Sequence, residues 1–235
     1  MNMAHPVTTL AFDADDTLWH NERHFRMSEE RFAELLKDYA EQDHLAERLL
    51  ASEKKNVGHY GFGVKGFVLS MIETAIEVTD ERVPASVIKE LIACGQELLT
   101  YPIELMPGAG DVVAQMAGQY KLIVVTKGDL LDQERKLAQS GLGELFDGVE
   151  IVSDKTPDIY RRLFVKWSNG SEGAMMIGNS MKSDVIPAIE AGAWGVYVPS
   201  EITWALEHAD APKESAKFRE IPSLVELPAL LESLA

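Results

Sequence analysis

The 235-residue chain has one cysteine, Cys94, so it cannot form an intramolecular disulfide. Its apolar runs are too short for a transmembrane helix, and the N-terminus MNMAHPVTTL lacks the basic and apolar regions of a secretion signal. These absences predict a protein of the reducing cytoplasm with no membrane partner. Cys94 lies in the helical pattern LIACGQELL, which favours a small buried apolar residue.

Positive charge is also scarce, since 22 Lys and Arg stand against 38 Asp and Glu, a formal net charge of −16. A chain of this sign repels the phosphates of nucleic acids, so we expect no nucleic-acid partner. An anionic substrate would need local positive charge, which makes a lysine beside an acidic site informative. The six histidines form no HExxH motif, and His20 and His24 have no third metal ligand in their segment.

Short, mainly apolar segments alternate with helical patterns along the chain. Such segments are typical of a parallel sheet that is covered by helices on both faces. The predicted strands are 7–12, 121–126, 149–152, 174–178 and 194–198. The predicted helices are 130–140, 157–167, 182–192, 202–209 and a last helix within 223–234. The fold class is therefore predicted to be α/β, with a Rossmann-like parallel sheet core.

Roughly a hundred residues separate the first two predicted strands, far more than an ordinary βα connection. Apolar residues recur there at helical spacing, around residues 32–39, 68–76 and 88–99. We therefore expect an all-helical cap domain of residues 19–104, inserted into an α/β catalytic core made of residues 1–18 and 105–235.

One segment of the predicted cap is rich in glycine. Residues 56–67, NVGHYGFGVKGF, contain four glycines and three aromatic residues. Two interpretations stay open: an ordinary loop between helices, or a mobile loop whose His59, Tyr60 or Lys65 contacts a substrate.

Polar residues follow each of the first four predicted strands. Because ligands of doubly wound sheets bind beyond the carboxyl ends of the strands, these residues can converge on one site. The residues are Asp13, Asp15 and Asp16 after the first strand, Thr126 after the second, Lys155 after the third, and Asn179 and Asp184 after the fourth.

The aspartates after the first strand repel one another, and burying them is costly unless a cation offsets their charge. Asp13, Asp184 and Asn179 supply the hard oxygen ligands that suit Mg²⁺. The Thr126 hydroxyl and the Lys155 ammonium suit a phosphate group. A carboxylate such as Asp13 can then attack phosphorus, while Asp15 moves the proton of the leaving alcohol and of water.

The same residues carry a family resemblance. DADDTL, the Thr after the second strand, the Lys of DKTPDIY and the segment GNSMKSD resemble the four motifs of the haloacid dehalogenase superfamily. The resemblance implies that Asp13 is the nucleophile and Asp15 the general acid/base. It implies that Thr126 and Lys155 hold the phosphate. The Mg²⁺ ligands that it implies are Asp13, the backbone carbonyl of Asp15, and the fourth motif with Asn179 and Asp184.

Two positions depart from the family pattern. Asn179 stands where the family usually has Asp, so one negative charge is lost, although an amide oxygen can still bind Mg²⁺. Asp16 stands where Gly is common, and a turn and helix-cap role is expected for it because Asp tolerates left-handed backbone. Lys127, next to Thr126, is predicted to be a solvated surface lysine.

The resemblance implies a Mg²⁺-dependent phosphatase that hydrolyses a small phosphomonoester through an aspartyl-phosphate. The dehalogenases of the superfamily lack the second carboxylate, so Asp15 favours phosphatase chemistry. The alternatives are a phosphotransferase or phosphomutase on the same scaffold, and a non-catalytic module that binds phosphate or signals, for which Asn179 is a hint. Neither the particular substrate nor the oligomeric state follows from the sequence.

Overall fold

The computed structural model of the protein describes residues 7–234. Six strands form one sheet in the order β3-β2-β1-β4-β5-β6, and every neighbouring pair is parallel. The strands are β1 (Thr9–Phe12), β2 (Lys121–Lys127), β3 (Gly148–Val152), β4 (Ala174–Gly178), β5 (Trp194–Tyr197) and β6 (Phe218–Glu220). This is the doubly wound strand order, and it confirms the predicted α/β class.

The helices fall into two groups along the chain. The first group, between β1 and β2, contains α1 (Glu22–Leu36), α2 (Gln42–Tyr60), α3 (Val64–Val78), α4 (Ala85–Leu98) and α5 (Ala109–Met116). The second group alternates with the later strands and contains α6 (Leu130–Ser140), α7 (Pro157–Trp167), α8 (Ile186–Glu190) and α9 (Leu227–Ser233). None of the helices described within residues 7–234 is long and apolar enough to cross a membrane.

Side chains that alternate along each central strand build a separate core on each face of the sheet. In β1, Leu10 and Phe12 belong to one buried cluster, and Ala11 belongs to the other. In β2, Leu122 and Ile123 are divided in the same way. Both faces of these strands are therefore buried, which explains why the strands read as continuous apolar runs.

The chain divides into two compact units. One contains the sheet and comprises residues 1–22, 103–127 and 133–235, of which residues 7–234 are described. The other is helical and comprises residues 23–102 together with 128–132. Its apolar core includes Cys94, which is 1% exposed, so the prediction of a buried cysteine is confirmed. The assignment of the sheet unit to catalysis and of the helical unit to a cap stays a prediction.

The glycine-rich segment 56–67 is mostly helical, which contradicts its interpretation as a loop. The helix α2 continues to Tyr60 and α3 begins at Val64, so only residues 61–63 connect them. Lys65 lies in the first turn of α3, and its ammonium pairs with Asp129 at 3.0 Å within the helical unit. Side-chain burial along the two helices overrides the weak helix propensity of glycine.

The predicted helix 202–209 is wrong. Only a 3-10 turn, Ala205–Glu207, forms there, and Trp204 and His208 on either side have extended backbone. The partly buried hydrogen bonds that Glu207 accepts from Lys127 and Ser180 fix this segment, and such long-range contacts override local propensity.

Other elements differ in detail or were missed. The predicted helix 182–192 is a π-helical turn, Met181–Val185, followed by the short helix α8. The strand β6 and the helix α5 were not predicted. With three residues and no buried side chain, β6 carries too little pattern to be recognised from sequence.

Candidate active site

The candidate site lies where the order of the sheet reverses. β1 pairs with both β2 and β4, and the chain passes from β3 to β4 by crossing to the other side of β1. Asp13 follows β1 directly, and its backbone N–H donates to Ile177 O of β4 at 2.9 Å. Such a reversal is the usual place for a ligand crevice in doubly wound sheets.

A buried lysine joins two of the predicted carboxylates. The Lys155 Nζ lies 2.5 Å from Asp13 Oδ1 and 2.6 Å from Asp184 Oδ1. Asp184 is fully buried, and its second oxygen, Oδ2, accepts the backbone N–H of Ser180 at 2.9 Å. The structure therefore brings Asp13, Lys155 and Asp184 together. Both carboxylate oxygens of Asp184 accept hydrogen bonds from the protein.

The pKa values of Asp13 and Lys155 reflect their burial and the presence of two carboxylates beside one ammonium. Burial and the charge of Asp184 raise the pKa of Asp13 to about 7, against the attraction of Lys155. Burial alone would lower the pKa of Lys155, but the attraction of Asp13 and Asp184 outweighs it, so the pKa lies above its ordinary value. One ammonium does not balance two carboxylates, and an additional positive charge at Asp13 would favour its ionised form.

The close approach of Asp184 explains the glycine at the end of β4. A Cβ atom at Gly178 would lie 2.2 Å from Asp184 Oδ2, far inside van der Waals contact. Any larger residue at position 178 would push the Asp184 carboxylate away from Lys155 and Ser180 N.

Oxygen atoms converge beside the other oxygen of Asp13. The side-chain amide of Asn179 directs one atom to within 3.2 Å of Asp13 Oδ2, of the Asp15 backbone oxygen and of Thr17 Oγ1. With Oδ1 in that position, it can accept the Thr17 hydroxyl but faces two further acceptors, Asp13 Oδ2 and the Asp15 backbone oxygen. Two arrangements cancel the repulsion: a cation held among the oxygens, or rotation of the amide so that its NH₂ group donates to them.

This donor set fits Mg²⁺ by its chemistry. A carboxylate oxygen of Asp13, a backbone carbonyl of Asp15 and an amide oxygen of Asn179 are all hard ligands. Among residues 7–234, no three His, Cys, Asp or Glu side chains group into a metal site. A cation here would therefore depend on the carbonyl and the amide, and not on a cluster of carboxylates.

Thr126, the residue predicted to bind phosphate together with Lys155, lies at the same edge of the sheet. Thr126 is 2% exposed near the end of β2, two positions beyond Val124, which pairs with Phe12 of β1. Its hydroxyl donates to the backbone oxygen of Lys127 at 3.3 Å and not to the Asp13 cluster. The Thr126 hydroxyl is thus placed near the cluster by the strand register and has no strong partner there.

Asp16 has the structural role expected for it. It has a φ of 59°, which is left-handed backbone, and its carboxylate accepts the backbone N–H groups of Asn21 and Glu22, each at 2.9 Å. Burial raises its pKa to about 6, against the hydrogen bond from Asn21. Glu22 begins α1, so the prediction of a turn and helix-cap residue is confirmed.

The side chain of Asp15 is held by three donors that the sequence reasoning missed. Its carboxylate accepts hydrogen bonds from Trp19 Nε1 at 2.8 Å, Gln133 Nε2 at 2.8 Å and Lys136 Nζ at 2.9 Å. Gln133 and Lys136 are three residues apart in α6, which places them on one face of that helix. That spacing, in the helix that follows Thr126, was the available sequence signal.

Lys127 is not a solvated lysine, which corrects the prediction. Its side chain is 11% exposed and its ammonium contacts Glu207 Oε1 and Ser183 Oγ, both at 2.7 Å. Burial would raise the pKa of Glu207, but the charge of Lys127 and hydrogen bonds from Ser180 and Ser183 hold that pKa below its ordinary value. No local pattern in the sequence pairs positions 127 and 207.

Comparison with known proteins places this geometry in context. A family model of haloacid dehalogenase-like hydrolases matches residues 7–192. A haloacid dehalogenase-like family hydrolase of known structure from Xanthomonas campestris is 37% identical, with 97% of this chain and 92% of that chain covered and a TM-score of 0.87. A comparison with curated proteins finds no match.

More distant solved structures share the fold. A haloacid dehalogenase-type phosphatase from Thermococcus onnurineus is 21% identical, with 96% of this chain and 98% of that chain covered and a TM-score of 0.60. An L-2-haloacid dehalogenase from Xanthobacter autotrophicus is 16% identical, with 97% of this chain and 100% of that chain covered and a TM-score of 0.67. The fold is therefore common to enzymes of both chemistries.

Proposed function

The chain belongs to the haloacid dehalogenase-like hydrolases, and from that premise we propose that it hydrolyses a small phosphomonoester with Mg²⁺, through an aspartyl-phosphate at Asp13. One observation carries the proposal. The two oxygens of the Asp13 carboxylate face different groups: Oδ1 faces the Lys155 ammonium, whereas Oδ2 lies 3.2 Å from the side-chain amide of Asn179 and accepts the Thr17 hydroxyl. A second carboxyl, that of Asp15, stands two residues away.

Charge supports a divalent cation at this site. Among the described groups that interact with the Asp13 and Asp15 carboxylates, four carboxylates, those of Asp13, Asp15, Asp16 and Asp184, accompany two ammonium groups, those of Lys136 and Lys155. The formal excess of two negative charges would repel a phosphate dianion, and one divalent cation cancels it. When bound, Mg²⁺ supplies the positive charge that draws phosphate oxygens in and stabilises their charge in the transition state.

The chemical steps balance with the residues present. Asp13 Oδ1 forms a bond to phosphorus as the bond from phosphorus to the ester oxygen breaks, and protonated Asp15 gives its proton to the departing alcohol. Ionised Asp15 then takes a proton from water, whose oxygen bonds to phosphorus while the Asp13 acyl-phosphate bond breaks. Lys155 and Thr126 bind the phosphoryl oxygens in both steps, and the products are the alcohol and inorganic phosphate.

Asp15 favours phosphate ester hydrolysis over dehalogenation. An alcohol leaves phosphorus readily only when it is protonated, which requires an acid such as Asp15, whereas a halide leaves without a proton. A carboxyl group fixed by three donors at this position can supply the proton that ester hydrolysis requires, whereas dehalogenation requires no such proton.

The test is release of inorganic phosphate from 4-nitrophenyl phosphate with Mg²⁺. We expect release by the wild type, and loss of release with EDTA or in Asp13→Asn. Asp158→Asn removes an exposed carboxylate with 88% side-chain exposure and is expected to retain full activity. Activity that persists in Asp13→Asn contradicts the proposed nucleophile.

Two further measurements address the competing chemistries. Chloride release from 2-chloropropionate, without phosphate release from any ester, would replace the proposal with dehalogenation. Transfer of the phosphoryl group to an added alcohol in place of water would identify a phosphotransferase.

A further inference from the structure

The strongest feature that the proposed chemistry leaves unexplained is the set of groups around Asp15. Trp19 Nε1 and Lys136 Nζ both donate to Oδ1, at 2.8 and 2.9 Å, and Gln133 Nε2 donates to Oδ2 at 2.8 Å. Two of these donors come from α6, an element outside the loop that carries Asp15. The orientation of the carboxyl plane is therefore imposed by a separate helix.

Both donors from α6 are buried polar side chains. Lys136 is 6% exposed and Gln133 is 4% exposed. Lys136 Nζ also donates to Asn21 Oδ1 at 2.7 Å, which fixes the ammonium between two residues of the β1–α1 connection. Burying a lysine and an amide at this depth costs free energy that surface residues would not incur.

The amide of Gln133 makes one of the hydrogen bonds available to it. Its Oε1 is buried and has no hydrogen-bond partner within the described residues 7–234. A glutamine that served packing alone would satisfy both ends of its amide or expose one. Here the amide is oriented by the hydrogen bond that it donates to Asp15.

The two carboxylate oxygens of Asp15 differ in the number of hydrogen bonds that they accept. Each carboxylate oxygen has two lone pairs in the carboxyl plane. Oδ1 accepts from two donors, which uses both of its lone pairs, whereas within residues 7–234 Oδ2 accepts from Gln133 alone and keeps one lone pair free. The free lone pair of Oδ2 is the position to which a proton can be added.

We propose that Lys136 and Gln133 are positioning residues that fix the Asp15 carboxyl so that Oδ2 is the atom that gives and takes the catalytic proton. The inference rests on the proposed function, since it concerns the proton transfers of that reaction. In the first step the O–H bond at Oδ2 breaks as the alcohol oxygen gains the proton. In the second, Oδ2 takes a proton from the attacking water.

A leaving-group series tests this role. The kcat/KM is measured for 2,4-dinitrophenyl, 4-nitrophenyl and phenyl phosphate, whose leaving groups need a proton increasingly in that order. A variant that misplaces the acid therefore loses more activity toward phenyl phosphate than toward the other two esters. For Lys136→Met we expect a loss of about tenfold or more with phenyl phosphate and less than about threefold with the dinitrophenyl ester.

Matched variants separate positioning from folding. Lys136→Arg keeps a donor and a charge and is expected to restore most of the phenyl phosphate activity. Gln133→Leu is expected to show the same leaving-group dependence as Lys136→Met, with a smaller loss. Lys166→Met removes a lysine with 60% side-chain exposure and is expected to leave kcat/KM unchanged for all three esters.

A second readout does not require turnover. The indole N–H resonance of Trp19, assigned with Trp19→Phe, reports on the Asp15 oxygen that Trp19 shares with Lys136. We expect it to shift in Lys136→Met and to stay unchanged in Lys166→Met. An unchanged Trp19 resonance in Lys136→Met overturns the inference whether or not the enzyme is active.

The outcomes distinguish the inference from the proposed function. An equal loss of kcat/KM across the three esters in Lys136→Met, with Asp13→Asn inactive, overturns the positioning role and leaves the phosphatase intact. Full activity in Asp13→Asn overturns the proposed function, and the Trp19 resonance then decides by itself whether Lys136 holds the carboxyl of Asp15.

Discussion

Lys155 Nζ lies 2.5 Å from Asp13 Oδ1, and the two side chains form a buried ion pair at the end of the central strand. The partners are not equivalent, because Lys155 has a second carboxylate in Asp184, whereas Asp13 has no second ammonium among the residues that the structure describes. Removing the charge of Asp13 should therefore stabilise the folded protein, whereas removing the charge of Lys155 should destabilise it.

Asp13→Asn is expected to unfold at a higher urea concentration than the wild type in EDTA at pH 8, while it loses activity. The amide removes the repulsion between Asp13 and Asp184 and leaves Lys155 in a neutral pair. Lys155→Met is expected to destabilise the protein by about 3–5 kcal/mol, because two buried carboxylates lose the cation that they share. Equal destabilisation by both variants would contradict this account.

Mg²⁺ is expected to raise the melting temperature of the wild type, since a ligand that binds only the folded state stabilises it. Asn179→Asp should increase Mg²⁺ affinity by about tenfold, because a charged ligand replaces a neutral one. Asn169→Asp, an exposed asparagine, serves as the control. Thermal shift across a Mg²⁺ titration checks both expectations, and an unchanged affinity in Asn179→Asp would place the cation elsewhere.

The pair of Lys127 and Glu207 is expected to make stability depend on acid pH. The pKa of Glu207 lies below its ordinary value of 4.5, so the folded state binds its proton less readily than the unfolded chain. Its contribution is present above about pH 4.5 and is lost as the pH falls through the lower, folded-state pKa.

Glu207→Gln should therefore cost about 3 kcal/mol near neutral pH, and the cost should shrink below pH 4.5. Urea unfolding from pH 3 to pH 7 measures this difference, with the exposed Glu172→Gln as the control. A cost that stays constant over this range would mean that the charge of Glu207 is not what stabilises the fold.

Gly178→Ala is expected to reduce both stability and phosphatase activity. The added Cβ would lie 2.2 Å from Asp184 Oδ2, so Asp184 has to leave Lys155 and Ser180 N, at a cost of about 1–3 kcal/mol. Gly58→Ala is the matched control, since it lies within α2 with nothing within 4 Å of the new Cβ. That substitution should stabilise the protein by about 0.5–1 kcal/mol, and urea unfolding compares the two.

The sequence determined the features that depend on local order. The apolar runs of the strands, the helices 130–140 and 157–167, and the position of Asp16 at a turn follow from periodicity and backbone preference, and the structure has them. The polar residues at the strand ends also follow, because parallel strands place all their carboxyl ends at one edge.

Tertiary structure alone decided which of those residues meet, and how. The pairing of Lys127 with Glu207, and of Asp15 with Gln133 and Lys136, joins positions about 80 to 120 residues apart. Such contacts are chosen by burial, which makes an unpaired polar group costly and selects whichever partner the packing brings within reach. The local sequence does not indicate which partner will be brought within reach, and the orientation of Asp15 is therefore a property of the folded chain.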